Sequence, residues 1–154
     1  MTQLEFVTKF DCPVHEVFQF HTDVQNLGRI TPSNINVVLL HADPFAQSAE
    51  IILKITQFNF LSVVWHLRFA TVIENQQITD EQVTGPLKYW QHNRYFSQQQ
   101  DHQLGYSEMR EVLKYELPLG VLGRIANALV VKRMIKKMFK HRQEITREIL
   151  QHSI

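Results

Sequence analysis

From Asn34 to Pro118 the sequence runs as six strand-like segments, INVVLL, AEIILKITQF, SVVWHLRFATVI, QITDEQVT, LKYWQHNRYFS and YSEMREVLKYEL. They are divided by turn-rich or polar pieces such as HADPFAQS, ENQQ, TGP and QQQDHQLG. Parallel neighbours need a crossover of about a dozen residues or more, so connections this short imply an antiparallel meander. One face of each run is apolar: Ile51, Leu53 and Ile55; then Trp65, Leu67 and Phe69; then Met109, Leu113, Tyr115 and Leu117. Alternate residues of a strand point to opposite sides, so these positions line a common interior.

The flanks supply what covers that interior. LEFVTKF alternates Leu4, Phe6, Thr8 and Phe10 against Glu5, Val7 and Lys9, a further strand ended by Asp11. Pro13 opens PVHEVFQFHTD, with Val14, Val17, Phe18 and His21 at helical spacing, and VQNLGRITP reads as a second short helix stopped near Gly28 and Pro32. After LPLG the period changes, and Leu122, Ile125, Ala126, Leu129, Met134, Ile135, Met138, Ile145 and Ile149 recur at helical intervals. The expected fold is α+β: a seven-stranded curved antiparallel sheet around a long C-terminal helix, with two short helices after strand one, in a single domain over residues 1–154. A sheet curled round one helix leaves a gap between them, where ligands sit.

Composition narrows the class. With 44% hydrophobic and 20% charged residues, five glycines and five prolines, the chain reads as globular, neither disordered nor fibrous. Cys12 is the one cysteine, which excludes an internal disulfide and a cysteine-built metal site and suits a reducing, cytoplasmic location. The N-terminus MTQLEFVTKF lacks the pattern of a secretory leader, and no apolar stretch approaches the roughly 18 residues needed to span a bilayer. The net charge of +1 hides an asymmetry: residues 1–131 hold 9 basic and 13 acidic side chains, and residues 132–154 hold 7 and 2.

The stretch DEQVTGPLKYWQHNRYF carries the sharpest polar signal. Alternation along its second strand puts Trp90, His92, Arg94 and Phe96 on one face, two large aromatics enclosing a histidine and an arginine. On the last strand Glu111 shares the apolar face of Met109, Leu113 and Tyr115, so it points the way that His92 and Arg94 do. Opposite charges on neighbouring strands satisfy one another, and the expectation is a cluster of His92, Arg94 and Glu111 in an aromatic-lined cavity. Three readings stay open: the cluster orients a ligand, it braces the sheet as a buried ion pair, or a bulge turns the charges to water. Trp65, Phe69, Trp90, Phe96, Met109 and Tyr115, with Leu122, Ile125 and Leu129 of the helix, are the candidate lining; aromatics on an inner sheet face serve equally well as plain core.

Other chemistries lack their signatures. There is no HExxH spacing, and His15 and His21 stand six apart, off a common helical face, so no metal is expected. GVLG, Gly120 to Gly123, lies between a strand ending in Leu-Pro and the long helix and reads as a helix start. In KRMIKKMFKHR, Lys132, Lys136 and Lys140 recur every four residues beside Arg133 and Lys137. This cationic face reads either as solvated surface near a helix C-terminus or as a contact for anionic lipid. Nucleic acid is not an expected partner, because the rest of the domain is net acidic.

Three blocks, PVHEVFQFHTDVQNLGRITP, ITDEQVTGPLKYWQHNRYF and MREVLKYELPLGVLGRIA, together resemble the helix-grip superfamily, also called SRPBCC or START-like, in its bacterial ligand-binding or cyclase/dehydrase-like branch. The family pattern around the second block is roughly Asp-x-Gln, Gly-Pro-Phe, Trp-x-His-x-His-x-Phe, and the chain supplies Asp80, Gln82, Gly85, Pro86, Trp90, His92 and Phe96. Leu87 stands where Phe is usual, Arg94 where a second His is common, and Glu111 where Asp is often found. The resemblance implies a binder of a small, mostly hydrophobic or amphipathic molecule without a cofactor. It also allows a polyketide cyclase/dehydratase-like enzyme, with His92 as general acid or base and Arg94 stabilising an enolate, or an interaction module with a filled core.

Overall fold

A computed structural model describes residues 1–100 and 105–151 of the chain. Strand β1 (Thr2–Phe10) is followed by helices α1 (Val14–Thr22) and α2 (Asn26–Ile30). The meander comprises β2 (Ile35–Ala42), β3 (Glu50–Gln57), β4 (Leu61–Ile73), β5 (Gln77–Thr84), β6 (Tyr89–Gln100) and β7 (Gly105–Glu116). The expected connection QQQDHQLG is shorter than read: its first three residues extend β6 and Gly105 begins β7, while residues 101–104 lie outside the described residues.

All seven strands join one antiparallel sheet in the order β1-β7-β6-β5-β4-β3-β2. Each strand of the meander lies beside its predecessor, as short connections require, and β1 closes the far edge against β7 with Leu4 opposite Leu113 and Phe6 opposite Glu111. The β4–β5 ladder shifts register between His66 and Leu67 and again between Phe69 and Thr71. Such bulges sharpen the local bend and twist of the sheet. The core on that face is built from Leu53, Phe69, Met109, Leu113 and Tyr115 of the sheet, Val17 and Phe18 of α1, and Ile135 and Phe139 of the C-terminal helix.

The expected long helix is one continuous run in three parts: α3 (Gly120–Ala126), a π-helical turn at Asn127–Val131, and α4 (Lys132–Gln151). It starts on Leu119 and Gly120, both in the left-handed region at φ 71° and 52°. Gly123 makes the close approach, since a Cβ there would overlap the Pro118 carbonyl oxygen. Asn127 anchors the π turn: its Oδ1 accepts from the Tyr115 hydroxyl at 2.5 Å and its Nδ2 donates to Thr2 Oγ1 at 3.0 Å. No helix among the described residues is long and apolar enough to cross a membrane.

Candidate functional site

Between the sheet and the C-terminal helix lie two adjoining cavities. The larger, about 620 Å³, runs between β3, β4 and the start of α4, with Ile55, Val63, Met134 and Ile135 among its walls. The smaller, about 120 Å³, is enclosed by α1, α2, the centre of the sheet and the second half of α4. Ile55, Trp65, Trp90 and Met138 belong to both linings. Two of these shared residues, Trp65 and Trp90, meet edge to face with ring centroids 4.7 Å apart.

The smaller cavity holds the charged residues. Arg94 Nη2 donates to Asp80 Oδ1 at 2.7 Å, and Trp90 Nε1 donates to Asp80 Oδ2 at 3.2 Å. His92 lies between two carboxylates, with Nδ1 3.5 Å from Asp80 and Nε2 3.0 Å from Glu111. Gln143 of α4 donates to the other Glu111 oxygen at 2.6 Å, which ties the helix to the sheet. Burial alone would push each of these groups toward its neutral form, but the pairing prevails. The Arg94 guanidinium and the His92 and Trp90 donors hold Asp80 down at about 2. Glu111 is likewise lowered by His92 and Gln143, and hydrogen bonds to Asp80 and Glu111 raise His92.

Two more basic groups line this cavity. His21 of α1 sits on its own helix turn, with Nδ1 2.8 Å from the Val17 carbonyl; burial first, then the nearby Arg94 charge, lowers it to about 4, so it is neutral at neutral pH. Arg142 of α4 lies over Phe139, its charge 5.7 Å from the ring centroid, and among the described residues its one hydrogen bond is a long 3.4 Å contact to Thr31 Oγ1. Its Nε is buried without a partner, and burial lowers its pKa to about 10.

The structure therefore brings His92, Arg94 and Glu111 together on the inner face and adds Asp80, which the sequence reading left out of the cluster. Arg94 and Glu111 are register partners, yet their charges go elsewhere, Arg94 to β5 and Glu111 to His92 and α4. A signal for Asp80 was present, since alternation through QITDEQVT puts it on the side of the fully buried Ile78. The heptad step from Ile135 to Arg142 would likewise have found the helix residue.

Trp65, Phe69, Trp90 and Met109 stand in the cavity walls. Phe96 does not: it packs edge-on against Phe18, 5.4 Å between centroids, as core. Tyr115 is fully buried, with its hydroxyl spent on Asn127. Leu122, Ile125 and Leu129 depart furthest from expectation, being 69%, 51% and 67% exposed and outside both linings. The π turn explains the misreading. An extra residue in a turn rotates the following face by about 100°, so the stripe of α3 and the stripe of α4 are not one stripe. On α4 the buried positions are Ile135, Phe139, Thr146 and Leu150. Of the basic residues, Arg133, Lys136, Lys137 and Lys140 are exposed and Lys132 is half-buried; Lys137 also borders the larger cavity.

No protein-family model matches the chain, and no curated protein does. Solved structures do. A START superfamily protein from Mycobacterium smegmatis superposes with a TM-score of 0.73 over 99% of both chains at 13% identity. Protein CV1439 from Chromobacterium violaceum gives 0.74 over 97% of this chain and 98% of its own at 8% identity. The fold is the helix-grip fold. TTHA0849 from Thermus thermophilus shares it as well, with a TM-score of 0.68 over 94% of this chain and 97% of that one at 12% identity. The resemblance read from three sequence blocks thus holds for the architecture. In this helix-grip protein the grip is partial: α4 closes on the sheet, and α3 leaves its apolar side chains outside.

Proposed function

We propose that the protein binds a small, mostly apolar molecule between its curved sheet and C-terminal helix. The observation that carries this reading is the 620 Å³ cavity with largely apolar walls, which shares Trp65 and Trp90 with an adjoining smaller chamber that has charged walls. That volume lies in the range of small-molecule sites, roughly 300–1,000 Å³. Apolar walls supply affinity, and the polar end supplies orientation. The geometry favours binding over catalysis by His92, because both ring nitrogens face carboxylates and neither is free to meet a substrate proton. Cys12 is buried, and its thiol is pushed up by burial and by Glu16, which suits an inert cysteine and a cytoplasmic setting.

The test is binding of the neutral fluorescent probe N-phenyl-1-naphthylamine to the wild type and to Met138→Trp, which places an indole in the shared wall. Saturable binding that the folded variant loses supports the reading. Equal fluorescence with both proteins, or none with either, overturns it.

A second reading concerns the surface and rests on its own observation. Leu119, Val121, Leu122, Ile125, Leu129 and Val130 are exposed on α3 and the π turn, directly before the run Lys132, Arg133, Lys136, Lys137 and Lys140. Exposed apolar side chains next to a cationic face match the chemistry of an anionic lipid surface. We infer that this half of the helix docks there, beside the larger cavity.

A further inference from the structure

Among the described residues that wall the smaller cavity, every charged side chain but one is engaged at hydrogen-bond distances of 3.0 Å or less; Asp23, on the exposed side, accepts from the Gln25 backbone N–H at 3.0 Å. Arg94 is matched by Asp80 at 2.7 Å, and His92 by Glu111 at 3.0 Å, with Asp80 3.5 Å from its other nitrogen. Both Glu111 oxygens are engaged, one by His92 and one by Gln143, and Trp90 occupies the second Asp80 oxygen. His21 carries no charge at neutral pH. Arg142 is left over: no carboxylate lies within 4 Å of it among the described residues, its Nε has no partner, and its one hydrogen bond is stretched to 3.4 Å. A guanidinium has five donors in a planar fork that fits a carboxylate, and holding it away from water without an anion is costly.

We propose that Arg142 is the anchor for the carboxylate of an amphipathic monocarboxylic acid, whose apolar chain runs past Trp65 and Trp90 into the larger cavity. This deepens the proposed binding function and rests on it. The ligand carries one negative charge because one guanidinium of the cavity wall, that of Arg142, has no carboxylate within 4 Å among the described residues. The neighbouring Asp80 and Glu111 repel a second anion, so the site selects a monoanion over a dianion of similar length. Gln143, beside Arg142 in the lining, adds a neutral polar group at the same end.

The experiment compares dodecanoate with dodecanol, equal in length and different in charge, by displacement of N-phenyl-1-naphthylamine at neutral pH. The wild type is expected to bind dodecanoate about 10-fold or more tightly than dodecanol, the scale of a charge-assisted hydrogen bond. Arg142→Met, which keeps the apolar bulk, is expected to lose that preference while still binding dodecanol and the probe. Equal affinity of the wild type for both compounds overturns the anchor and leaves the cavity reading standing. If probe and dodecanol both fail to bind the wild type, the cavity reading itself is overturned, and the anchor with it. Equal affinity in the wild type overturns the anchor even if the variant does not fold.

Discussion

Asp80 shows how one side chain decides the character of an interior. Removing it leaves Arg94 and Trp90 without their acceptor and His92 with Glu111 alone, and Asp80→Leu is expected to cost about 3–5 kcal/mol in denaturant melts. The double variant Asp80→Leu with Arg94→Met strands no guanidinium and is expected to regain a clear part of that loss; a double variant no more stable than the single one would mean that the pair is not coupled. His21 has its own pH signature. Its folded-state pKa, lowered to about 4, lies below the ordinary 6.5, so between those values the unfolded chain takes up a proton that the folded one refuses. Stability should therefore fall as pH drops from about 6.5 toward 4, and His21→Phe should flatten that limb. His92 acts in the opposite direction: its pKa is raised, so its contribution is complete below the unfolded value and is lost as pH rises through the folded one. Urea midpoints across pH 4 to 8 for the wild type and His21→Phe measure both effects; superimposable acid limbs would remove His21 from the account.

At the level of elements, the junction between β7 and the C-terminal helix positions the site. Gly123 sits against the Pro118 carbonyl so closely that any side chain must displace it. Gly123→Ala is expected to destabilise by about 1–3 kcal/mol, as overpacking does, and to shift the start of α3; an unchanged melting midpoint would contradict that contact. Phe69, 3% exposed and packed against Phe45 at 4.9 Å, ties β4 to the loop before β3. Phe69→Ala should cost about 3–5 kcal/mol as a large-to-small change, and a shift within measurement error would place its ring outside the core. The tie of Asn127 to Tyr115 and Thr2 holds the π turn over the sheet edge, where the helix changes from exposed to buried faces.

For the molecule as a whole, a cavity, its charged end and an exposed apolar helix lie along one C-terminal run, and this arrangement suits a carrier that meets a surface. Vesicles containing anionic lipid should retain the protein at low salt and release it as salt screens the attraction. Leu122→Ser with Leu129→Ser should weaken retention without moving the melting midpoint, because both side chains are already exposed. Equal recovery on neutral and anionic vesicles would return the lysines and the apolar stripe to ordinary surface.

The sequence by itself determined the antiparallel meander, the helices and the inward direction of Trp65, Phe69 and Met109, because strand alternation and short connections are local properties of the chain; it left open a bulge that would turn His92, Arg94 and Glu111 to water, and the pairing of β1 with β7 came from the structure. Only the tertiary structure decided who partners whom. Arg94 has a neighbouring strand on each side, and which carboxylate it takes depends on the register of β5 against β6 as well as that of β7. Arg142 and Gln143 reach the same chamber from a helix that begins only after β7 has ended, a meeting that no local pattern contains. The exposed Leu122, Ile125 and Leu129 were decided at the same level. Helical spacing identifies a stripe, but a π turn between two stripes changes which one meets the sheet, and Asn127 at that turn is held by side chains from the first and the last strand.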